Sequence, residues 1–472
     1  MLRIRYNTDP EFCAILHFIG ELDEELSEID KLLSDEKLLE LIEADLSQRY
    51  PQTTQTGRNS TPVEVIVRML VLKHLRSISY SKTIKTVNES IVLRQFCRVY
   101  FNPLPAKSTL IRWANLIQVE TLKQFNQRLT SYATQLQVTQ GKKMRTDGTV
   151  VATNIHFPSD NSLLVDGVRV LTRLLQQARQ LLLQHKCSVN AQFFRNRHRT
   201  ARRISRRIDS LSRTRTQRGS EQRKKAYEKL LEVSQASLKQ AQGVQKLLQN
   251  LKSLPTEKLS QAFRLFLPRV VQVIDQTYRR VFLVQKVPSS EKIVSLFESH
   301  TDIICRGKTN VLVEFGHKVW LDEVDGGIIS NYRVLYGNPH DTQQWCESLE
   351  QHQQQFSHPP QQASADRGVF SQFNETFAKD LGVQQIILPK SGYKSGQRQQ
   401  HEKQRYFRQG RYWHNGVEGR ISYLKRTFGF QRCLCRGKLG FERWVGWGVI
   451  AHNLTIISRT LVQKNQSRFK PN

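Results

Sequence analysis

The sequence predicts a mixed α/β protein: a sheet flanked by helices, preceded by an all-α N-terminal domain and interrupted by a long helical insertion after the first strand. Two observations lead there. Short apolar or β-branched runs, "TVV" at 149–151, "HKVWLDEVDGGIISNYRVLYGN" and "VQQIILPK" at 383–390, read as strands, whereas apolar residues recur at helical spacing through 10–136 and 160–274. The order of elements is then strand, helical stretch, hairpin, helix, strand, helix, strand and helix, which suits one sheet with helices on its faces.

Bulk properties narrow the class. The 472 residues suffice for two or three cores, and a hydrophobic content of 38% without an 18-residue apolar run indicates a soluble, cytoplasmic protein. The first twenty residues set basic side chains ahead of an apolar stretch. Asp9 and Glu11 interrupt it and no small-residue cleavage site follows, so a signal peptide is not expected. The formal net charge of +31 favours a polyanionic partner, chiefly nucleic acid, with anionic membrane as a weaker rival. The charge is clustered: 9–45 is acidic, while 171–225 holds 16 Lys and Arg against Asp209 and Glu221. Seven scattered cysteines (13, 97, 187, 305, 346, 433 and 435) imply no disulfide framework. Cys433 and Cys435 lack a second pair at zinc spacing and read as buried thiols.

Along the chain, 1–50 reads as an acidic amphipathic helical segment, one or two helices within 10–48 forming a surface or oligomer contact. A polar linker follows at 51–62. Residues 57–136 read as a helical DNA-binding domain, with two helices broken near Ser77-Ile78-Ser79 and a third capped by Ser108. Lys107 and Arg112 fall near the start of that third helix, where a DNA-reading helix presents its side chains. Residues 140–160 and 305–460 supply the sheet, and 161–300 the insertion. Ser159 starts a helix with apolar positions at Leu163, Leu164, Val168, Leu171, Leu174 and Leu175. Within the insertion, "RNRHRTARRISRRIDSLSRTRTQRGSEQRKK" carries Arg202, Arg203 and Arg206, suited to tracking a phosphate backbone. Asp325-Gly326-Gly327 marks a hairpin turn, "DTQQWCESLEQHQQQF" a polar helix, and 371–380 a brief one. A Gln- and Arg-rich loop, "SGQRQQHEKQRYFRQGR", leads into a final helical region from about His414.

Three carboxylates stand out. Asp147 and Asp366 lie at strand ends with a glycine within two residues, where ligands gather in α/β sheets. In "RYWHNGVEGRISYLKRTFGF", Val417, Ile421, Leu424 and Phe428 form an apolar stripe. At ~100° per residue, Glu418 and Lys425 fall within about 20° of each other on one flank, joined by His414. Three acids meeting at one sheet edge repel unless a divalent cation such as Mg²⁺ joins them, and two such ions serve phosphodiester displacement. Arg367, beside Asp366, is a DNA-contact candidate. Other polar residues read as structural: Asp322 and Asp325 as turn residues, Asp160 and Asp166 as helix-start residues, His317 and His452 as core or surface, Trp444 and Trp447 as core packing.

The blocks "TDGTVVATNIHFPSDNSLLVDGVRVLTR", "VEFGHKVWL", "YGNPHD", "ADRGVF" and "GVEGRISYLKRTFGFQRCLCRG", in this order, resemble bacterial insertion-sequence transposases of the DDE type over about 57–455. The resemblance implies a ribonuclease H-like core, an Asp-Asp-Glu triad at Asp147, Asp366 and Glu418, and Mg²⁺ or Mn²⁺ as cofactor. It further implies binding to terminal inverted repeats, cleavage and strand transfer, and at least a dimer to hold two DNA ends. Lys425 matches a lysine seven residues after the Glu that contacts DNA near the cleaved end. Arg411 and His414 stand where the family carries Tyr and Arg, and phosphate contact is expected of both. The alternative is a catalytically inactive DNA-binding repressor descended from a transposase, which would bind the repeats without cleaving them.

Overall fold

The computed structural model describes residues 1–20, 22–50, 52–185, 191–214, 216–249, 251, 253–308 and 311–468; Cys187 lies outside them. The chain forms two compact units, Met1–Asn154 with Ile304–Asn472, and Ile155–Ile303.

The first unit holds a six-stranded mixed sheet: β1 (Lys143–Ala152), β2 (Asp302–Lys308), β3 (Val311–Val324), β4 (Ile329–Leu335), β5 (Gln362–Ala365) and β6 (Gln385–Ile387). The order is β2-β3-β1-β5-β6, with β4 also on β3. β1 runs antiparallel to β3 from Met144↔Val324 to Ala152↔Gly316 and parallel to β5 from Lys143↔Gln362 to Thr146↔Ala365. β3 and β4 form the expected hairpin, closed by a short helical turn at Asp325–Gly327 in which Gly326 and Gly327 adopt positive φ. Asp325 acts as a turn residue: its carboxylate accepts from the Thr139 hydroxyl and from the Gln140 and Lys143 amides.

The edge strand β4 is covered rather than bare. Asn126 of helix Val119–Gln135 and Asn453 of helix Lys438–Arg468 both donate to the Ile329 carbonyl, and the Ile329 amide donates back to Asn453. Trp447 is buried on that last helix, as its apolar surroundings suggested, and Trp444 is also buried.

The acidic N-terminal region differs from the expected surface or oligomer segment. It forms three helices, Pro10–Ile19, Glu24–Leu32 and Glu36–Ser47, whose N-caps are Asp9, Asp23 and Asp35. Many of its acids thus start helices, while Ile29, Leu32, Leu38, Leu39, Ile42 and Leu46 join the core shared with helices Val63–Leu75 and Lys438–Arg468. Arg68, fully buried, ties the region down by bonding Glu64, Asp30 and the Phe96 carbonyl.

Three further local readings are corrected. The third helix of the basic region spans Lys107–Leu116 with Ala106 as N-cap, because Ala106 after Pro105 is still extended and Ser108 is already inside the helix. The Gln- and Arg-rich stretch is helical: Ser395 caps Gly396–Lys403, and the next helix begins at Arg405. Glu402 organises that stretch, accepting from Lys394, Arg398 and the Lys390 amide. β2 was not anticipated from the sequence.

The second unit is helical: Asp160–Gln184, His198–Ser212, Gln217–Gln249 and Leu254–Val281. Ser159 and Ser253 open their helices with reciprocal capping boxes. Leu163, Leu171, Leu230, Val244 and Phe263 belong to its own hydrophobic core. Asp160 pairs with Arg280 at 2.8 Å and Asp166 with Arg169, so both acids are structural, as expected. No helix among the described residues is long and apolar enough to cross a membrane.

Candidate active site

The parallel pairing of β1 with β5 ends at Thr146↔Ala365, so Asp147 and Asp366 follow it at the same level of the sheet. Asp366 is just past the end of β5, as expected. Asp147 is not at a strand end but inside β1, which stays paired with β3 to Ala152. Glu418 comes from helix Arg405–Thr427, which is pressed onto this part of the sheet by three contacts. Gly410 lies so close to Ile387 of β6 that a Cβ would fall 2.6 Å from its Cγ1, and Gly416 would likewise meet the Arg145 guanidinium at 2.4 Å. Arg145 on β1 and Arg420 on the helix share Glu323 of β3, at 2.7–3.0 Å, a buried ionic bracket. Val417 and Leu424 are buried on that helix and Phe428 just beyond it, with Ile421 partly so, which turns Glu418 and Lys425 outward together.

Asp147, Asp366, Glu418 and Lys425 line one cleft. Its wall also holds Lys318, Asp341 and Arg426, which sequence reasoning did not select. Lys318 extends from β3 over Gly148, where a Cβ would sit 2.8 Å from its Cε, and its ammonium pairs with Asp341. This close approach explains the glycine after Asp147. A Cβ on Gly368 would in turn lie 3.5 Å from the Asp341 carboxylate, so Asp341 borders the turn that follows Asp366.

Electrostatics match this crowding. Burial, then the neighbouring Asp366, pushes the Asp147 carboxyl up to about 6, against the opposing pull of the Gly148 amide and His414. The Gly148 N–H donates to Asp147 Oδ1 at 2.6 Å. His414 is buried, its Nε2 lies 3.1 Å from Asp366 Oδ1, and its Nδ1 has no hydrogen-bond partner. The His414 ring, expected to touch DNA phosphate, faces the Asp366 carboxylate in this structure. Arg411, one turn earlier, and Arg367, after Asp366, are exposed and are not among the residues lining the cleft. Lys107 and Arg112 are exposed on their own helix, and Arg202, Arg203 and Arg206 are exposed in the other unit.

Among the described residues, no three His, Cys, Asp or Glu side chains are grouped closely enough to hold a metal ion as they stand. The chemistry of the cleft's acids nevertheless suits one. All are hard oxygen donors, and Asp366 is close enough to Asp147 to raise the cost of ionising it.

Comparison with known families adds two matches. Residues 15–116 match the model described as Transposase domain (DUF772), and residues 323–454 match the model described as Transposase DDE domain. Both matches support an insertion-sequence DDE transposase. No curated protein and no solved structure matches this chain. The second match takes in Asp366, Glu418 and Lys425 and starts at Glu323, so Asp147 and the helical insertion lie outside both.

Of the remaining sequence candidates, Asp322 accepts from the Thr146 hydroxyl and the Asn331 amide and is structural. His317 is buried edge-on against Tyr336 and Phe441, and His452 is buried beside Arg420 and Asn453. Cys433 is buried and Cys435 partly so.

Proposed function

We propose that this chain is a transposase that binds the terminal inverted repeats of its element and catalyses DNA cleavage and strand transfer at the cleft of Asp147, Asp366 and Glu418. The observation that carries the proposal is the placement of the three acids around one cleft: Asp147 on β1 and Asp366 just past β5 stand where the parallel pairing ends, and Glu418 lines the same cleft from a helix. This arrangement supports a ribonuclease H-like reading of the sheet, in which β1 has antiparallel partners on one side and parallel ones on the other.

Asp147, Asp366 and Glu418 would hold Mg²⁺ or Mn²⁺, which supplies Lewis-acid activation of the attacking oxygen and charge stabilisation at the leaving one. The chain's own groups prepare that site. The Gly148 amide orients Asp147, and His414 holds Asp366 through Nε2. Lys425 and Arg426 line the cleft as cations for the phosphates flanking the scissile bond. In the first reaction water displaces the 3′-oxygen of the element's end from phosphorus, leaving a 3′-hydroxyl and a 5′-phosphate. In the second, that hydroxyl displaces a 3′-oxygen of the target strand, so the number of phosphodiester bonds is conserved.

Helix Lys107–Leu116 is assigned to the reading of the repeats. Leu110, Trp113 and Ala114 bury its inner face and leave Lys107 and Arg112 outward, with Arg367 and Arg411 as further DNA contacts. Joining two ends calls for at least a dimer, acting on DNA in the nucleoid.

The test is an end-labelled duplex bearing the element's terminus, incubated with Mg²⁺ and target plasmid. Nicked and strand-transfer products are expected from the native protein. Asp147→Asn and Glu418→Gln should each lower them by at least about 10³-fold while binding the terminus normally. Full activity in either variant would refute the site.

A further inference from the structure

The helical unit Ile155–Ile303 lies outside both family matches, so its role has to be argued from its own residues. Its helix His198–Ser212 is short and sharply divided. Ala201, Ser205 and Ile208 are buried, whereas Arg199, Arg202, Arg203, Arg206 and Arg207 are exposed. At ~100° per residue the five arginines occupy an arc of about 140°, opposite the buried trio. None of them forms an ion pair with a carboxylate among the described residues. The one acid of the helix, Asp209, accepts a hydrogen bond from Asn161 at 2.8 Å rather than neutralising an arginine.

Five like charges packed into nine residues repel one another, a cost with no structural return inside the unit: the buried trio and the partly buried Ile204 dock the helix. An ordinary solvated face interleaves both signs. The residues before the face add no acid: 195–208 contains seven arginines and no carboxylate, and Asp209 is the first acid after them.

We infer that this arginine face is a sequence-independent clamp for the backbone of duplex DNA, a site separate from the repeat-reading helix and from the cleft. The inference rests on the transposase reading for the identity of the polyanion. Guanidinium groups suit phosphate oxygens bidentately, and the helix offers no Asn or Gln on this arc to read base edges. A second copy of the chain is the less favoured occupant, because the same face on a partner would carry the same charge.

The experiment uses the full-length protein and a 25-base-pair duplex of unrelated sequence, with binding followed by fluorescence anisotropy across a salt series. Each phosphate contact contributes about 0.9 to the slope of log K against log salt. Changing all five arginines to glutamine should lower the slope by roughly 3–5 and weaken binding by at least about 100-fold near 0.1 M salt. The matching Arg→Lys variant should retain most of the slope, and circular dichroism of both checks the helix. Unchanged slope and affinity in the glutamine variant would overturn the inference. So would a glutamine variant that dissociates into smaller oligomers with its DNA binding intact. The Asp147→Asn protein separates this result from the cleft: it should bind the unrelated duplex with native slope, whether or not the native protein cleaves DNA.

Discussion

Asp147 illustrates how a functional group sets a cost on the fold. Its folded pKa of about 6 lies above the ordinary 3.8, so the folded state holds the proton more tightly than the unfolded chain. Well below pH 3.8 both states are protonated and the group is neutral in its effect. As pH rises through 4 to 6, stability falls, and above 6 the full cost is present. Asp147→Asn should therefore stabilise the protein by about 2–3 kcal/mol at pH 7 and by almost nothing at pH 3.5. Urea denaturation at the two pH values checks this, and equal shifts at both would contradict it. The three acids stood out in the sequence because each carries a local mark: a nearby glycine beside a strand for two, although Asp147 proves to lie within β1 and not at its end, and a two-turn spacing to Lys425 for the third. Lys318 and Asp341 carry no such mark. They enter the cleft only because a side chain on β3 crosses the bare backbone of Gly148, a neighbour more than 160 positions away in the chain.

Helix Arg405–Thr427 positions Glu418 by close backbone approach, and its glycines are the sensitive points. At Gly416 a methyl group would meet an Arg145 guanidinium already committed to Glu323 and to the Trp413 carbonyl. Gly416→Ala should shift the helix off β1, costing about 1–3 kcal/mol of stability. It should lower the strand-transfer rate far more than it weakens DNA binding; a single-turnover assay beside anisotropy resolves the two. Elements with strong periodicity, such as the hairpin β3–β4 and helix Asp160–Gln184, were readable from the sequence. The start of the Glu418 helix was not, because "QRQQHEKQRYFRQGR" shows little apolar repeat. Its order comes from the buried Phe407 and the ion cluster around Glu402, both tertiary. Ser108 failed as a cap for a similar reason: Pro105-Ala106 sets the chain direction before the serine is reached.

At the scale of the molecule, the alternation of helix and strand was legible, and so was the placement of a helical excursion between β1 and the hairpin. The incorporation of the acidic N-terminal helices into the core was not. Amphipathic helices look alike whether their apolar stripe meets a partner or another part of the same chain, and only pairings such as Arg68 with Asp30 and Glu64 decide it.

The excursion has a consequence for how the polypeptide acquires its shape. β1 leaves the ribosome long before β3, its main hydrogen-bonding neighbour, exists. The intervening 149 residues (303 − 155 + 1) hold a core of their own, and the Asp160–Arg280 pair links segments 120 residues apart within them. Closing that loop first shortens the remaining gap to tens of residues, and the entropy of ring closure then falls by roughly 1 kcal/mol. Arg280→Ala should accordingly delay protection of the β1 amides in pulse-labelled refolding on the order of threefold, with little change in the unfolding rate. The pair would then act as a buckle fastened during synthesis, sparing a nascent strand a long wait for its mate.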